Sequence, residues 1–216
     1  MEITTIGKGK GSFVPDEVYI NLFFRARSKN YEIVMSEGNK SIDEFFNQVL
    51  IGLCFTKDDL KIRNINVKEE KEYNNITKSY DLVGYLFEGD ALLKFPYDKD
   101  LIALFLTLMA KLENPPQFNL EFGLMNEKQY KKELMEKAYQ DALSQASIIA
   151  NAANKKIIDT LKVSFQPLDE PFVSSTSFFS KNILYANENN VNDFVNYLNP
   201  INIEVEEVLY GLFLAE

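Results

Sequence analysis

The chain has 216 residues, 32 acidic against 23 basic groups, a formal charge of −9 and no histidine. The acidic balance opposes a nucleic-acid backbone and an anionic membrane surface, because both call for a basic footprint. A chain without histidine can hold no Ser-His-Asp triad, no Cys-His pair and no histidine-based zinc site, so catalysis would rest on carboxylate, Lys or Tyr groups.

A long β-hairpin pattern opens the chain. Residues 3–6 (ITTI) read as a short strand, Gly7, Gly9 and Gly11 as a turn or bulge region, and 14–27 as an alternating strand with Val18, Ile20, Leu22 and Phe24 on its apolar face. GKGKGS at 7–12 is no phosphate loop, which needs G-x-x-x-x-G-K-[ST] between strand and helix. The first residues hold no apolar leader, so the expected setting is cytoplasmic, or exported if a leader once preceded Met1.

Residues 30–53 take helical period, with Ile42, Phe45, Phe46, Val49, Leu50 and Leu53 on one stripe and Gly38 weakening the first half. Cys54 follows this run and is expected to be buried; as the lone cysteine it can form neither an internal disulfide nor a Cys-rich zinc site. Residues 60–73 read as a bulged, solvated strand, Asn74-Asn75 as a turn and 80–95 as its partner, with Gly84 and Gly89 marking bends. The Lys68–Lys71 charges read as an edge that discourages strand addition. Asp16-Glu17 and Asp58-Asp59 read as solvated loop ends, since a cation site needs further converging oxygens.

Residues 98–112 form a helix that is apolar nearly all round, ended by Asn114-Pro115-Pro116. It includes the longest apolar run, 101–110, which is far shorter than the ~20 residues of a membrane span. Residues 118–124 alternate as a strand. A long helix from Asn126, its expected N-cap, to Asn154 carries Ala138, Ala142, Ala146, Ala150 and Ala153 along one face, spaced to pack closely on the protein's own sheet. Residues 157–165 form a strand, 166–199 an irregular insertion with a short helix at 190–198, and 201–214 a last strand. Its apolar phase flips between Val205 and Val208, which predicts a bulge or sharp twist.

The order β-β-α-β-β-α-β-α-β-β predicts one α+β domain over 1–216, a mainly antiparallel sheet with helices on one face. That order, with Ile3, Gly7, Gly9, Pro15-Asp16, Asp59-Leu60, Tyr73, Gly84-Tyr85, Phe122, Ala138, Asp141-Ala142, Ala146 and Ala150 placed along it, resembles the SIMPL domain family, a group of mostly bacterial proteins. Gln145 stands where a lysine is common, and Asn154 where a glycine often ends the helix. The resemblance implies the same fold class, no established catalytic residues, and relatives linked to envelope integrity, oxidative stress or ring-like oligomers.

These readings together predict a non-enzymatic binding or assembly module without cofactor or metal. It is expected to self-associate, or to meet an unknown protein partner, through Phe105 and Met109 of the apolar helix and Phe172, Phe178 and Phe179 of the insertion. A carrier of a small apolar ligand and an enzyme with carboxylate, Lys or Tyr chemistry are the alternatives. An enclosed apolar cavity would favour the first and a polar cleft the second.

Overall fold

A computed structural model describes residues 1–166, 183–184 and 198–216. The expected short helix at 190–198 and most of the irregular insertion lie outside them. The fold class is α+β, and every strand pairing is antiparallel. The elements are β1 (Glu2–Phe13), β2 (Glu17–Ser28), α1 (Tyr31–Phe45), β3 (Leu60–Asn74), β4 (Ser79–Pro96), α2 (Lys99–Met109), β5 (Gln117–Gly123), α3 (Glu127–Ala152), β6 (Ile157–Ser164), β7 (Ile183–Leu184) and β8 (Ile203–Ala215). The strands make two sheets, of order β1-β8-β6 and β3-β4-β2-β5-β7. The described residues fall into two compact units, one of 1–15, 124–166 and 201–216, the other of 16–123, 183–184 and 198–200.

This partition corrects the opening hairpin. β1 pairs along its whole length with β8, whereas β2 pairs with β4 and β5. Both strands carry the hairpin pattern, and pattern alone does not name a strand's neighbour.

In the first unit α3 covers one face of the three-stranded sheet. Ala138, Ala142, Ala146 and Ala150 are fully buried and pack with Ile3, Leu209 and Phe213. The alanine row therefore packs on the protein's own sheet. Gly7 and Gly9 are not turn residues but lie within β1 where the helix backbone approaches. A Cβ on Gly7 would stand 1.9 Å from the Ala138 carbonyl oxygen, and one on Gly9 1.9 Å from that of Leu134. Glycine on the strand and alanine on the helix are thus two halves of one close contact.

Polar bonds fix its register. Thr5 Oγ1 donates to the Ala142 carbonyl at 2.8 Å, and the Lys8 amide to Asp141 Oδ2 at 2.9 Å. Gln145, in place of the family's common lysine, donates to both the Ile6 carbonyl and Asp141 Oδ2. Asn126 occupies the N-cap position but makes no side-chain cap bond, while Asn154 ends the helix at φ 55°, the left-handed conformation that a glycine would otherwise supply.

The predicted flip in β8 is absent, for its register with β1 is unbroken from Ile203 to Leu214. Leu209, Gly211, Phe213 and Ala215 are buried, and Val208, Tyr210, Leu212 and Leu214 are half-buried on the opposite face. Both faces are apolar at this end, so alternation was lost without any bulge.

The second unit packs α1, α2 and the turn between α1 and β3 against its five-stranded sheet. Asn30 caps α1, accepting from the Glu32 and Ile33 amides. The helix runs into a π-turn at Phe46–Leu50 and carries Phe45, Val49 and Leu50 into the core. Gly38 is there for packing rather than as a weak point, since a Cβ would lie 2.5 Å from the Phe87 ring. Asp98 caps α2 in the same way. Ile102, Phe105, Leu106 and Met109 of α2 are buried, but Leu104 is exposed, so the helix is covered on most sides rather than all.

Candidate functional site

The most exposed apolar groups that share one structure lie on an arm made by β3 and β4. Asparagine at 74 closes the turn: its side chain accepts from the Ile76 and Thr77 amides, and the Lys78 amide donates to its carbonyl. Extended pairing then runs back through 15 residues of β3 and 18 of β4. β2 supports β4 only as far as the Ser28–Tyr85 pair. Beyond it, from the Glu70–Gly84 pair to the Asn74–Ser79 pair, β3 and β4 pair, among the described residues, only with each other. The predicted bulges are present as register shifts between Ile62 and Asn64 and between Glu70 and Lys71.

Tyr73, Tyr80, Leu82 and Val83 are exposed on this two-stranded stretch, and Ile76 at its tip is 92% exposed. The Tyr73 and Tyr80 rings meet edge to face at 5.3 Å, which is their main local support. A two-stranded hairpin is marginal in water by itself, and clustered exposed apolar groups mark contact surfaces.

Charges lie along the arm in pairs. Lys68 bonds Glu88 at 2.5 Å, Arg27 meets Glu70 at 3.1 Å, and Lys71 meets Glu69 at 2.7 Å. The Lys68 bond holds the Glu88 carboxyl below the usual carboxylate range, and Glu69 holds the Lys71 ammonium above its usual value. β3 is the end strand of its sheet. Among the described residues, one row of its amides and carbonyls therefore has no neighbouring strand.

The same sheet carries a polar row on the face opposite its core. Asn21 and Asn119 both donate to Glu121 Oε1, at 3.2 and 3.1 Å, and Arg63 donates to Asn21 Oδ1 at 2.9 Å. Glu121 is only 7% exposed. Two amides, one of them held in turn by the Arg63 guanidinium, thus hold one buried carboxylate in a fixed place. Of the paired carboxylates, Asp59 closes a capping box with Thr56, whose amide and hydroxyl hold its carboxyl below the ordinary value. Glu17 lies 4.0 Å from Lys94. Among the described residues no three Cys, Asp or Glu side chains converge as metal ligands. An open depression of about 780 Å³ on α3 is lined by Lys132, Glu133, Met135, Glu136, Tyr139, Gln140 and a neighbouring lysine.

Of the residues predicted as an interface, Phe105 and Met109 are core residues, 0% and 4% exposed, and offer a partner no surface. Their apolar neighbours predicted burial correctly, but not against what. Phe172, Phe178 and Phe179 lie outside the described residues. Cys54 is exposed rather than buried, at φ 61°, because the chain turns there immediately after the buried Leu53. The arm was legible only in part: its hairpin was predicted, but not that β4 outruns β2 and strips the support from Tyr73, Tyr80 and Leu82.

An α+β domain of two antiparallel sheets, with an alanine-faced helix seated on strand glycines, is the class of protein this architecture defines. The family model for SIMPL, described as a protein of unknown function (DUF541), matches residues 3–189. The chain belongs to the SIMPL family. No match to a curated protein was found. Among the described residues no helix is long and apolar enough to cross a membrane.

Proposed function

We propose that the protein is a non-enzymatic binding and assembly module that self-associates, with the β3–β4 arm as its contact surface. One observation carries this reading: Tyr73, Ile76, Tyr80 and Leu82 are exposed together on a hairpin that has no third strand beside it among the described residues. A second copy set against the arm would bring new neighbours to this exposed apolar stretch and steady the hairpin at once. Carboxylate chemistry would centre on Glu121, but a buried carboxylate already engaged by two amides is better suited to anchoring the strands β2 and β5. An envelope- or stress-related role is the setting that the family resemblance suggests for such an assembly.

Absolute mass by light scattering after gel filtration, across a concentration series, tests the proposal. A mass above the 24.9 kDa of one chain is expected. The double variant Ile76→Asp, Tyr80→Asp should bring it down while leaving the circular dichroism spectrum intact. One chain's mass at every concentration would refute self-association.

A further inference from the structure

We propose that the arm's partner is the arm of a second copy of this chain, joined edge to edge through antiparallel β3 strands about a two-fold axis at Glu70. This inference rests on the self-association proposed above and adds the surface's occupant and register.

The argument comes from the order of charges on the free edge, Lys68-Glu69-Glu70-Lys71-Glu72. In an antiparallel pair, residues directly opposite share a face, and opposite charges there attract while like charges repel. With Glu70 at the axis, Lys68 faces Glu72 of the second copy and Glu69 faces Lys71, each twice by symmetry. Val67 faces Tyr73, an apolar match on the face that carries Phe87. The single like-charged meeting is Glu70 with Glu70, and each of these carboxylates already has Arg27 at 3.1 Å.

Neighbouring registers fare worse on the same residues. Because opposed residues share a face, register changes in steps of two: with the axis at Lys71 that residue meets itself and Glu70 meets Glu72, and with the axis at Glu69 that residue meets itself and only the Lys68–Glu70 pairing attracts. A parallel, in-register stack sets every charge against its own kind. The charges that the sequence presents as a guard against strand addition thus disfavour other strands and favour one register. The pairing would supply the backbone bonds that the β3 edge lacks, and it would carry the Ile76 turn alongside Asn64 and Ile65 of the second copy.

Site-directed disulfide trapping tests the register, in a Cys54→Ser background that removes the exposed native thiol. Opposed residues in an antiparallel pair have Cα atoms about 4.5–5.5 Å apart, within disulfide reach. Glu70→Cys should therefore give a covalent dimer on mild oxidation. Glu72→Cys, on the same face, should not, because the two copies of position 72 would lie more than ~13 Å apart. In parallel, Glu69→Lys should raise the dimer dissociation constant about tenfold, and adding Lys71→Glu should restore it. A wild-type oligomer in which both cysteines cross-link alike, or neither does, would overturn this register and leave self-association standing. A wild-type monomer at all concentrations would overturn both.

Discussion

Gly7→Ala is the sharpest test of the α3 seat. By composition it should help, since a strand residue gains from a side chain and the unfolded chain loses freedom, together worth about 0.4–1 kcal/mol. The structure predicts the reverse. The added Cβ would stand 1.9 Å from the Ala138 carbonyl oxygen, 2.5 Å from the Ala142 nitrogen and 2.8 Å from the Ala142 Cβ, where ordinary contact begins at 3.4 Å. None of these atoms can swing away on a rotamer, so the helix must retreat by about 1.5 Å, the difference between 3.4 and 1.9 Å. A retreat of that size breaks the 2.8 Å bond from Thr5 to the Ala142 carbonyl, at about 1 kcal/mol. Overpacking and the loosened alanine row add about 1–3 kcal/mol or more. The net expectation is a loss of about 3 kcal/mol, or roughly 6–12 °C in melting temperature for a chain of this size. Gly11→Ala is the control: its Cβ would meet only the Phe13 ring and the tip of Leu134, which can move, so it should cost no more than about 1 kcal/mol. Urea denaturation followed by circular dichroism reads both. A Gly7→Ala protein as stable as wild type, or matching Gly11→Ala, would refute the close helix–strand contact.

Three further outcomes follow from the same structure. Phe105→Ala should cost about 3–5 kcal/mol in urea denaturation, the penalty for emptying a fully buried aromatic site, and should do so at any protein concentration, as a core residue requires and an interface residue would not. Burial raises the Tyr97 phenol above its ordinary value of about 10, so the folded state holds that proton more tightly than the unfolded chain. Its contribution is complete below pH ~10 and is lost as pH rises from there through the folded-state value; Tyr97→Phe should flatten this part of a stability profile. Cys54 should react fully with a thiol reagent in the native protein, and Cys54→Gly should stabilise it by up to about 1 kcal/mol by relieving φ 61°.

Local order was the part most readable from sequence. Periodicity placed α1, α2 and α3, the Asn74-Asn75 turn located a hairpin, and the spacing of the alanines named the buried face of α3. Pairing was not readable, because β1 and β2 are equally good strands and nothing within them states that β8 is the neighbour of one and β4 of the other. The β8 phase misled because Val208, Tyr210, Leu212 and Leu214 form a second apolar face, and hydropathy cannot say which of two apolar faces meets the helix. The glycines of β1 were read by their freedom when they matter for their lack of bulk, a property of the α3 backbone opposite them. For the candidate site, apolar content located burial in α2, and only the unequal lengths of β2 and β4 exposed the arm.

The unit that holds α3 is assembled from three separate stretches, 1–15, 124–166 and 201–216, with residues of the other unit between them in the sequence. Its central strand is β8, the last of the described elements in chain order, and the Met1 ammonium donates to the Ala215 carbonyl at 2.6 Å. On a ribosome the other sheet has its strands β2 to β5 by residue 123, whereas β1 and β6 wait until residues 203–215 before their sheet can close. Until then β1 and β6 lack the strand between them, and the loop to be closed spans more than 200 residues. A chain stopped before Ile203 would lack β8 and with it the strand that joins β1 to β6 in this sheet.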